Sequence, residues 1–510
     1  MGALSFPALS PSPTVGFAPV GLSTSLSGDL KFGTSGLRGL VADLVGLPSR
    51  AYALGFVRHA MALAPQTREV LVGRDLRSSS LAISEDCRAA IGYTGLTAVD
   101  CGAVPTPALA LEAIRRGCPA IMVTGSHIPD DRNGLKFYLP HGEISKADEA
   151  AIAAQVASLG DAVLDSLSQA AVGKDLQTLS VNAAYVARYV DVFGPQSFAG
   201  RRVAVYQHSS VARDLMVDIL RGLGAEVAAF GRAAHFIPVD TEAHEPEMVG
   251  YIAEIARTGQ FDAVVSTDGD ADRPLVADET GVIMRGDVLG LLTAKLLELQ
   301  TIVTPVTSGS VVERAGGSGE VVRTRVGSPF VIAAMETAAI SGKAGIIGFE
   351  ANGGVLLGSD AIWQGRALTR LPTRDAMLPI LACLLAIAKW EKPLSAIIGD
   401  LPVGYALADR LKDIPSSLSQ DFLDQISQDV TFSDAYFKTV GGIRAVDRLD
   451  GVRFSLNDGS VVHYRASGNA PELRCYVEAQ TKERAVKLLS WGIEAARTQL
   501  NSKQTLHIQR

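Results

Sequence analysis

EVLVGRDLRSSSLAISEDCRAAIGYTGLTAV, from Glu69 to Val99, opens on an apolar run, crosses a polar loop rich in serine, continues as an amphipathic segment, reaches glycine and ends in a second apolar run. That order is a strand, a helix and a strand. It returns in RVAVYQHSSVARDLMVDILRGLGAEVAAF, from Arg202 to Phe230, and in TIVTPVTSGSVVERAGGSGEVVRT, from Thr301 to Thr324. The copies stand a domain length apart, so they mark related domains and not the turns of a solenoid. Strands alternating with helices predict three related α/β domains with mostly parallel sheets. The last hundred or so residues read differently: strands in LPVGYALADRLKD and FSLNDGSVVHYRASGNAPELRCYVEAQ, then a closing helix in KERAVKLLSWGIEAARTQL. These predict a C-terminal α+β domain. The expected division is an extension over 1–29, α/β domains over 30–175, 176–285 and 286–395, and the α+β domain over 396–510.

Composition agrees with this plan. The chain has 510 residues, 47% hydrophobic and 20% charged, which excludes a mainly disordered or fibrous protein. Lys plus Arg is 47 and Asp plus Glu is 54, giving a formal charge of −7. A mildly acidic chain is not expected to bind nucleic acid. The apolar run AMLPILACLLAIA, Ala376 to Ala388, is too short to span a bilayer and reads as a buried helix, so no membrane partner is expected. The first thirty residues carry no Lys or Arg, so no secretory signal is expected; they read as a disordered Ser/Pro-rich lead. The five cysteines are scattered without a C-x-x-C pair, which fits reduced, packed thiols in the cytoplasm.

Several stretches carry chemistry. PAIMVTG, ending at Gly125, is a strand that runs into SHIPDDRNGLKFY, so Ser126 stands at a strand end, in a turn marked by Pro129, Asp130 and Asn133-Gly134. A serine there, with His127 and Lys136 close in sequence, can attack or carry a phosphoryl group; it can equally be a loop serine bonded to its own backbone. FDAVVSTDGDADRPLVAD, from Phe261, sets Asp268, Asp270 and Asp272 at every second position. In an extended segment that spacing points all three carboxylates one way, where they repel unless a hard cation, Mg²⁺ first, lies among them. The following RPLVA reads as a strand, which excludes a calcium-binding loop. GIIGFEANGGVLLGSD places Glu350, Asn352 and Gly353 after an apolar run, where they can meet vicinal sugar hydroxyls or simply form a glycine-rich hairpin. HYRASGNAPELRCYVEA places Arg465, Ser467, Gly468 and Asn469 between two strands. Arg can fork onto a phosphate that Ser, Asn and backbone N–H groups complete; the alternative is a hairpin turn with a surface Arg. KFGTSGLRGLVAD, with Arg38, reads as a further anion-facing loop or an exposed turn.

The order FGTSGLRG, TGSHIPDDRNGLKF, DGDADR, FEANGG, RASGNAP resembles the α-D-phosphohexomutase superfamily, over about Lys31 to Ala479. The resemblance implies three related α/β domains and a fourth around a central cleft, with one loop from each. It implies that Ser126 is a phosphoserine that donates and regains a phosphoryl group, and that Asp268, Asp270 and Asp272 hold Mg²⁺ together with the Ser126 phosphate. Glu350, Asn352 and Gly353 would read the sugar. Arg465, Ser467, Gly468 and Asn469 would hold the phosphate not in transfer. Arg38, His127, Lys136 and Arg273 would neutralise the moving group or shuttle protons. The implied reaction interconverts hexose 1- and 6-phosphates, mannose first, then glucose, or N-acetylglucosamine or glucosamine, with the hexose 1,6-bisphosphate as activator. Small hexose phosphates are then the partners, and the chain a monomer or homodimer. Two features depart from the family pattern. Many members carry Glu-x-Ser-Gly-His where this chain has Glu350-Ala-Asn352-Gly-Gly354, and SHIP stands where SHNP is frequent. Other readings of the same residues are a phosphatase and a non-catalytic sugar-phosphate sensor.

Overall fold

Each of the three sequence repeats forms a parallel strand pair in the computed structural model, which describes residues 30–508 except 34, 174–176, 316–318 and 468–470. The expected disordered lead, 1–29, lies outside the described residues, as do Gly468 and Asn469 of the anticipated phosphate loop. The first pair is Glu69–Arg74 with Thr97–Ala103, joined by the helix Ser80–Tyr93. The second is Arg202–His208 with Glu226–Arg232, joined by Arg213–Gly222. The third is Thr301–Pro305 with Glu320–Thr324, where the connecting helix is only Val311–Ala315.

In each sheet a further parallel strand lies on the other side of the first one: Ala120–Val123, Ala263–Thr267 and Ile346–Phe349. Each then turns back into an antiparallel neighbour: Arg132–Leu139, Pro274–Asp278 and Val355–Leu357. The sheets are therefore less parallel than expected. The reason is loop length. A parallel return needs a crossover of roughly a dozen residues or more, and the segments 124–131, 268–273 and 350–354 are too short for anything but a hairpin. Those segments are the serine, acidic and sugar stretches. Each sits at the C-terminal end of a central strand, where α/β sheets bind ligands.

The first sheet also takes up Gln177–Thr178 beside Thr97–Ala103, so it reaches past residue 175. The C-terminal region is an antiparallel five-stranded sheet covered by the long helix Lys482–Ile508, as its sequence predicted. Arg465, expected between two strands, lies instead within the strand Val461–Ala466, where its backbone pairs with Arg474 of the antiparallel Leu473–Ala479.

The apolar run at Ala376 becomes the helix Met377–Trp390, buried on nearly every face. It belongs to one continuous core that includes Leu71, Val205, Val265, Phe349 and Leu381, drawn from all three α/β domains. Tyr185 and Tyr189 reinforce it by donating to the two oxygens of the buried Asp375. All five cysteines are buried and free, as expected. Among the described residues no single helix is long and apolar enough to cross a membrane.

The fourth domain has its own core around Phe422, Phe437, Phe454 and Tyr464. It meets the third domain through polar groups. Ser310 N and Oγ donate to Glu478 Oε2 at 2.8 and 2.7 Å. Arg314 reaches Glu478 Oε1 at 2.9 Å, Arg285 reaches Gly404 O at 3.0 Å, and Val326 N donates to Asp450 Oδ2 at 2.9 Å.

His463 lies against this seam. Its Nε2–H donates to Asp450 O at 2.7 Å, and its Nδ1 is buried with no partner among the described residues. Burial, with Arg453 adding to it, pushes the imidazole down to about 4 from an ordinary 6.5, the Asp450 carbonyl opposing. The unfolded chain then binds the proton first as pH falls, so this stability is present above 6.5 and lost between 6.5 and 4. It amounts to at most about 3 kcal/mol. Thermal unfolding across that window should show a shallower loss for His463→Gln than for the parent; equal slopes would refute the assignment.

Candidate active site

The acidic loop is a turn, not the extended segment its alternation suggested. Ala271 lies in the left-handed region at φ 60°, and the carboxylates converge because the backbone folds around them. Three neighbours pin that turn. Val211 N donates to Gly269 O at 3.1 Å, Thr106 N to Asp270 O at 2.9 Å, and Ala376 N to Ala271 O at 3.4 Å. Oxygens of Asp268, Asp270 and Asp272 lie within 4.8 Å of one another, and all three residues are buried.

Asp268 is hydrogen-bonded through both oxygens, Asp270 and Asp272 through one each. Asp268 Oδ1 accepts from Asp272 N and Arg273 N at 3.1 and 3.2 Å, and its Oδ2 accepts from Ser126 Oγ at 2.5 Å. Asp270 Oδ2 accepts from Thr106 Oγ1 at 2.5 Å and from Lys136 Nζ at 2.6 Å. Asp272 Oδ2 accepts from Lys136 Nζ and from Arg374 Nη2 and Nε, the latter two at 2.7 and 3.1 Å. Asp270 Oδ1 and Asp272 Oδ1 are buried with no hydrogen-bond partner among the described residues, although Arg273 Nε stands 3.7 Å from Asp272 Oδ1. Unpartnered anionic oxygens in an all-oxygen donor set fit a hard divalent cation.

Charge in this cluster is unevenly shared. Burial raises the Asp268 carboxyl well above its ordinary value, and Asp270 and Asp272 add to it. Burial acts the same way on Asp272, but Arg374, Lys136 and Arg273 outweigh it and hold that carboxyl low. Asp270 is also held low, by Lys136 and Thr106, against burial and the Asp272 charge.

Ser126 is placed by the first repeat. Its backbone is left-handed, φ 56°, a conformation that costs a non-glycine residue energy unless its surroundings enforce it. They do. Asp75, at the end of the strand Glu69–Arg74, accepts from Thr124 Oγ1 at 2.7 Å and from Ser80 Oγ at 2.5 Å, and Thr124 Oγ1 in turn accepts from Ser126 N at 2.8 Å. Arg77 pairs with Asp75 and donates to the carbonyls of Ser126, Ile128, Pro129 and Arg132 at 2.9, 2.5, 2.7 and 3.1 Å. Its other face lies 4.0 Å from the Phe236 ring of the second domain. Gly125 leaves room for it, since a Cβ there would stand 2.4 Å from Arg77 Cζ.

The remaining first-domain groups arrive on strands. Asn133-Gly134, read as a turn signal, lies instead within the strand Arg132–Leu139. Gly134 is needed because a Cβ would meet Leu37 O at 2.2 Å and Arg38 Nη1 at 2.4 Å. That approach is the pairing of Leu37–Leu40 with the serine hairpin, and it delivers Arg38, whose Nη1 donates to Thr124 O. Lys136 reaches the carboxylates from the same strand, 1% exposed. His127 Nδ1 stands 3.3 Å from Ser126 Oγ. Burial, reinforced by Arg273 and Arg38, pushes its imidazole down to about 2, so it is neutral at physiological pH.

The sugar stretch joins through Glu350, whose Oε2 accepts from Arg374 Nη1 at 3.0 Å and from Asn352 Nδ2 at 3.4 Å. Asn352 Oδ1 accepts from Gly354 N at 3.0 Å, so this side chain also shapes its own turn. Gly353, at φ 87°, packs where a Cβ would lie 2.9 Å from Pro274. Arg465 and Ser467 lie in the fourth domain and contact their own surroundings. Arg465 pairs with Asp450 Oδ2 at 2.9 Å, and Ser467 N donates to Glu472 O at 2.9 Å.

Sequence reading missed Asp75, Arg77, Thr106 and Arg374. Asp75 and Arg77 had a readable signal, charges immediately after a buried strand. Thr106 and Arg374 had none, because their partners are distant in the chain.

Family models described as phosphoglucomutase/phosphomannomutase α/β/α domains I, II and III match residues 29–162, 183–281 and 285–405, and the C-terminal domain model matches 427–490. The chain is 47% identical over 466 residues to a phosphomannomutase of Sinorhizobium fredii, covering 91% of this chain and 98% of that protein. It is 40% identical over 477 residues to a phosphomannomutase of Salmonella muenchen, covering 92% and 96%. A phosphoglucomutase/phosphomannomutase family protein of Burkholderia thailandensis has the same fold, with a TM-score of 0.71 at 21% identity, covering 91% of this chain and 97% of that one.

Two outcomes are expected of the site alone. Mg²⁺ or Mn²⁺ should raise the thermal midpoint, because a ligand bound only by the folded state stabilises it, and Asp270→Asn should shrink that shift; an unchanged shift would exclude Asp270 as a ligand. Arg77→Met should cost about 3–5 kcal/mol, since it leaves the Asp75 carboxyl buried without its cation. Denaturant unfolding reads that directly, and a loss below about 1 kcal/mol would remove Arg77 as the organiser of the serine turn.

Proposed function

From the premise that this chain belongs to the phosphoglucomutase/phosphomannomutase family, we propose that it is a phosphomannomutase, interconverting mannose 1-phosphate and mannose 6-phosphate through a phosphoserine. The observation that carries the reading is the 2.5 Å contact of Ser126 Oγ with Asp268, a nucleophile-bearing turn set against an acidic cluster. The near full-length identity to two phosphomannomutases supports mannose as the sugar.

In this reading Ser126 carries a phosphoryl group. The Oγ–P bond breaks as the sugar O6 bonds to phosphorus, and the O6 hydroxyl proton leaves to a base. The product is the 1,6-bisphosphate, which turns in the cleft. Its 1-phosphoryl group then passes to Ser126 Oγ, and O1 takes a proton. The bisphosphate is therefore also the activator, since it can phosphorylate a bare Ser126. Such transfers depend on positioning and charge neutralisation more than on covalent work by the protein.

Asp268, Asp270 and Asp272, with the Ser126 phosphate, would hold Mg²⁺, which supplies charge stabilisation on the phosphoryl oxygens. Arg38, Lys136 and Arg273 would face the same oxygens. His127, 3.3 Å from Ser126 Oγ, would bond the same oxygens; its imidazole, pushed down to about 2, is too weak a base to hold the hydroxyl proton, which Lys136 or water would shuttle instead. Glu350 and Asn352, on the turn held by Gly353, would bond the sugar hydroxyls. Arg465 and Ser467, with Gly468 and Asn469, would hold the phosphate that is not moving, in either orientation of the sugar. The polar seam would let the fourth domain open for the turn and close for the transfer.

Phosphorus NMR with mannose 1-phosphate, Mg²⁺ and a trace of the 1,6-bisphosphate should show the 6-phosphate appear, faster than from glucose 1-phosphate or N-acetylglucosamine 1-phosphate. Ser126→Ala should lose turnover by several orders of magnitude. Free phosphate in place of the 6-phosphate would make the protein a phosphatase, and tight binding without conversion would make it a sensor. Arg465→Ala should raise KM roughly 10- to 100-fold, the worth of a charged hydrogen bond; an unchanged KM would remove the distal-phosphate role.

A further inference from the structure

Arg374 lies at the end of the strand Leu371–Asp375 in the third domain, 3% exposed, and reaches into the acidic loop of the second. Its guanidinium is divided between two carboxylates. Nε and Nη2 both take Asp272 Oδ2, at 3.1 and 2.7 Å. Nη1 takes Glu350 Oε2 at 3.0 Å. In each carboxylate one oxygen takes the guanidinium of Arg374 and the other does not; Asp272 Oδ1 has only Arg273 Nε nearby, at 3.7 Å. Asp272 Oδ1 is buried with no hydrogen-bond partner among the described residues. Glu350 Oε1 has no hydrogen bond among them either. The chain makes room for this arrangement at Gly354, where a Cβ would stand 2.6, 2.8 and 3.1 Å from Arg374 Cδ, Cγ and Cβ. A side chain at 354 and the observed path of Arg374 are mutually exclusive.

We propose that Arg374 is a positioning residue that couples the metal loop to the sugar loop, holding Asp272 so that its Oδ1 faces the cation and Glu350 so that its Oε1 faces the sugar, and that glycine at 354 exists to admit it. This deepens the mutase reading and rests on it. The role needs Arg and not merely a positive charge. A planar guanidinium can grip two carboxylates at fixed angles, whereas an ammonium offers a single point charge. It also gives the departure in the sugar loop a physical meaning. The position that carries histidine in many relatives is empty of side chain here because the aliphatic stem of Arg374 fills that volume.

The test measures Mn²⁺ binding by electron paramagnetic resonance, without sugar, beside steady-state kinetics with Mg²⁺ and mannose 1-phosphate. Arg374→Lys keeps the charge and loses the fork. It should weaken Mn²⁺ binding roughly 10- to 100-fold, as loss of a group that orients a ligand does, and raise KM by a similar factor, with kcat partly recovered at high Mg²⁺. A residue that only ties two domains together would lower the melting temperature and leave Mn²⁺ affinity and KM unchanged, and that result would overturn the proposal. Should Arg374→Lys fail to fold, Gly354→Ala decides. It alters no charge, yet its methyl group must push the Arg374 stem aside, so it should reproduce the weaker Mn²⁺ binding and raised KM; wild-type values would overturn the proposal. A parent protein that binds Mn²⁺ but converts no sugar phosphate defeats the mutase reading instead, and is distinguishable from both.

Discussion

Four carboxylates, Asp268, Asp270, Asp272 and Glu350, are buried side by side, and the constraint they impose governs the rest of the molecule. Like charges out of water are costly unless cations share the same space. Here Lys136 and Arg38 come from the first domain, Arg273 from the second and Arg374 from the third. No single domain could bury its own share. A common apolar core and a charge cluster assembled from three sheets are two sides of one solution: the core fixes the sheets rigidly enough for the charges to meet. The acidic turn, whose carbonyls are held from three directions, is where that rigidity is felt.

The three α/β sheets are variations on one plan, and the variation that bears on chemistry lies in one place. In each, the central strand that pairs with the first strand of the repeat ends in a short hairpin. One hairpin offers a hydroxyl, the next a set of carboxylates, the third a carboxylate and an amide. The scaffold behind them is shared, and the chemistry differs. Left-handed Ser126 and Ala271 are both on these hairpins.

Much of this was legible in the chain. The repeats predicted the strand pairs, and the order of short motifs predicted which loops would matter. The antiparallel strands were also there to be read, since five to eight residues between strands leave no length for a crossover. What escaped was set by distance along the sequence. Arg374 and Asp272 are 102 residues apart, and Ser126 and Asp268 are 142 apart; nothing local announces such pairs. Period-two spacing of the aspartates was a sound observation with the wrong cause, because a single left-handed alanine, not an extended strand, brings them together. Gly354 was readable only as a missing side chain. Its meaning lies in another strand's arginine.

The seam between the third and fourth domains is made of Ser310, Arg314, Arg285, Val326 N, Glu478 and Asp450. Groups of this kind exchange one hydrogen-bond partner for water when a seam parts, so these contacts themselves would add no apolar surface on separation. A joint built this way would offer neighbouring molecules no new sticky face at these contacts if it opened, and a substitution that greased it with leucine would trade that colloidal safety for stiffness.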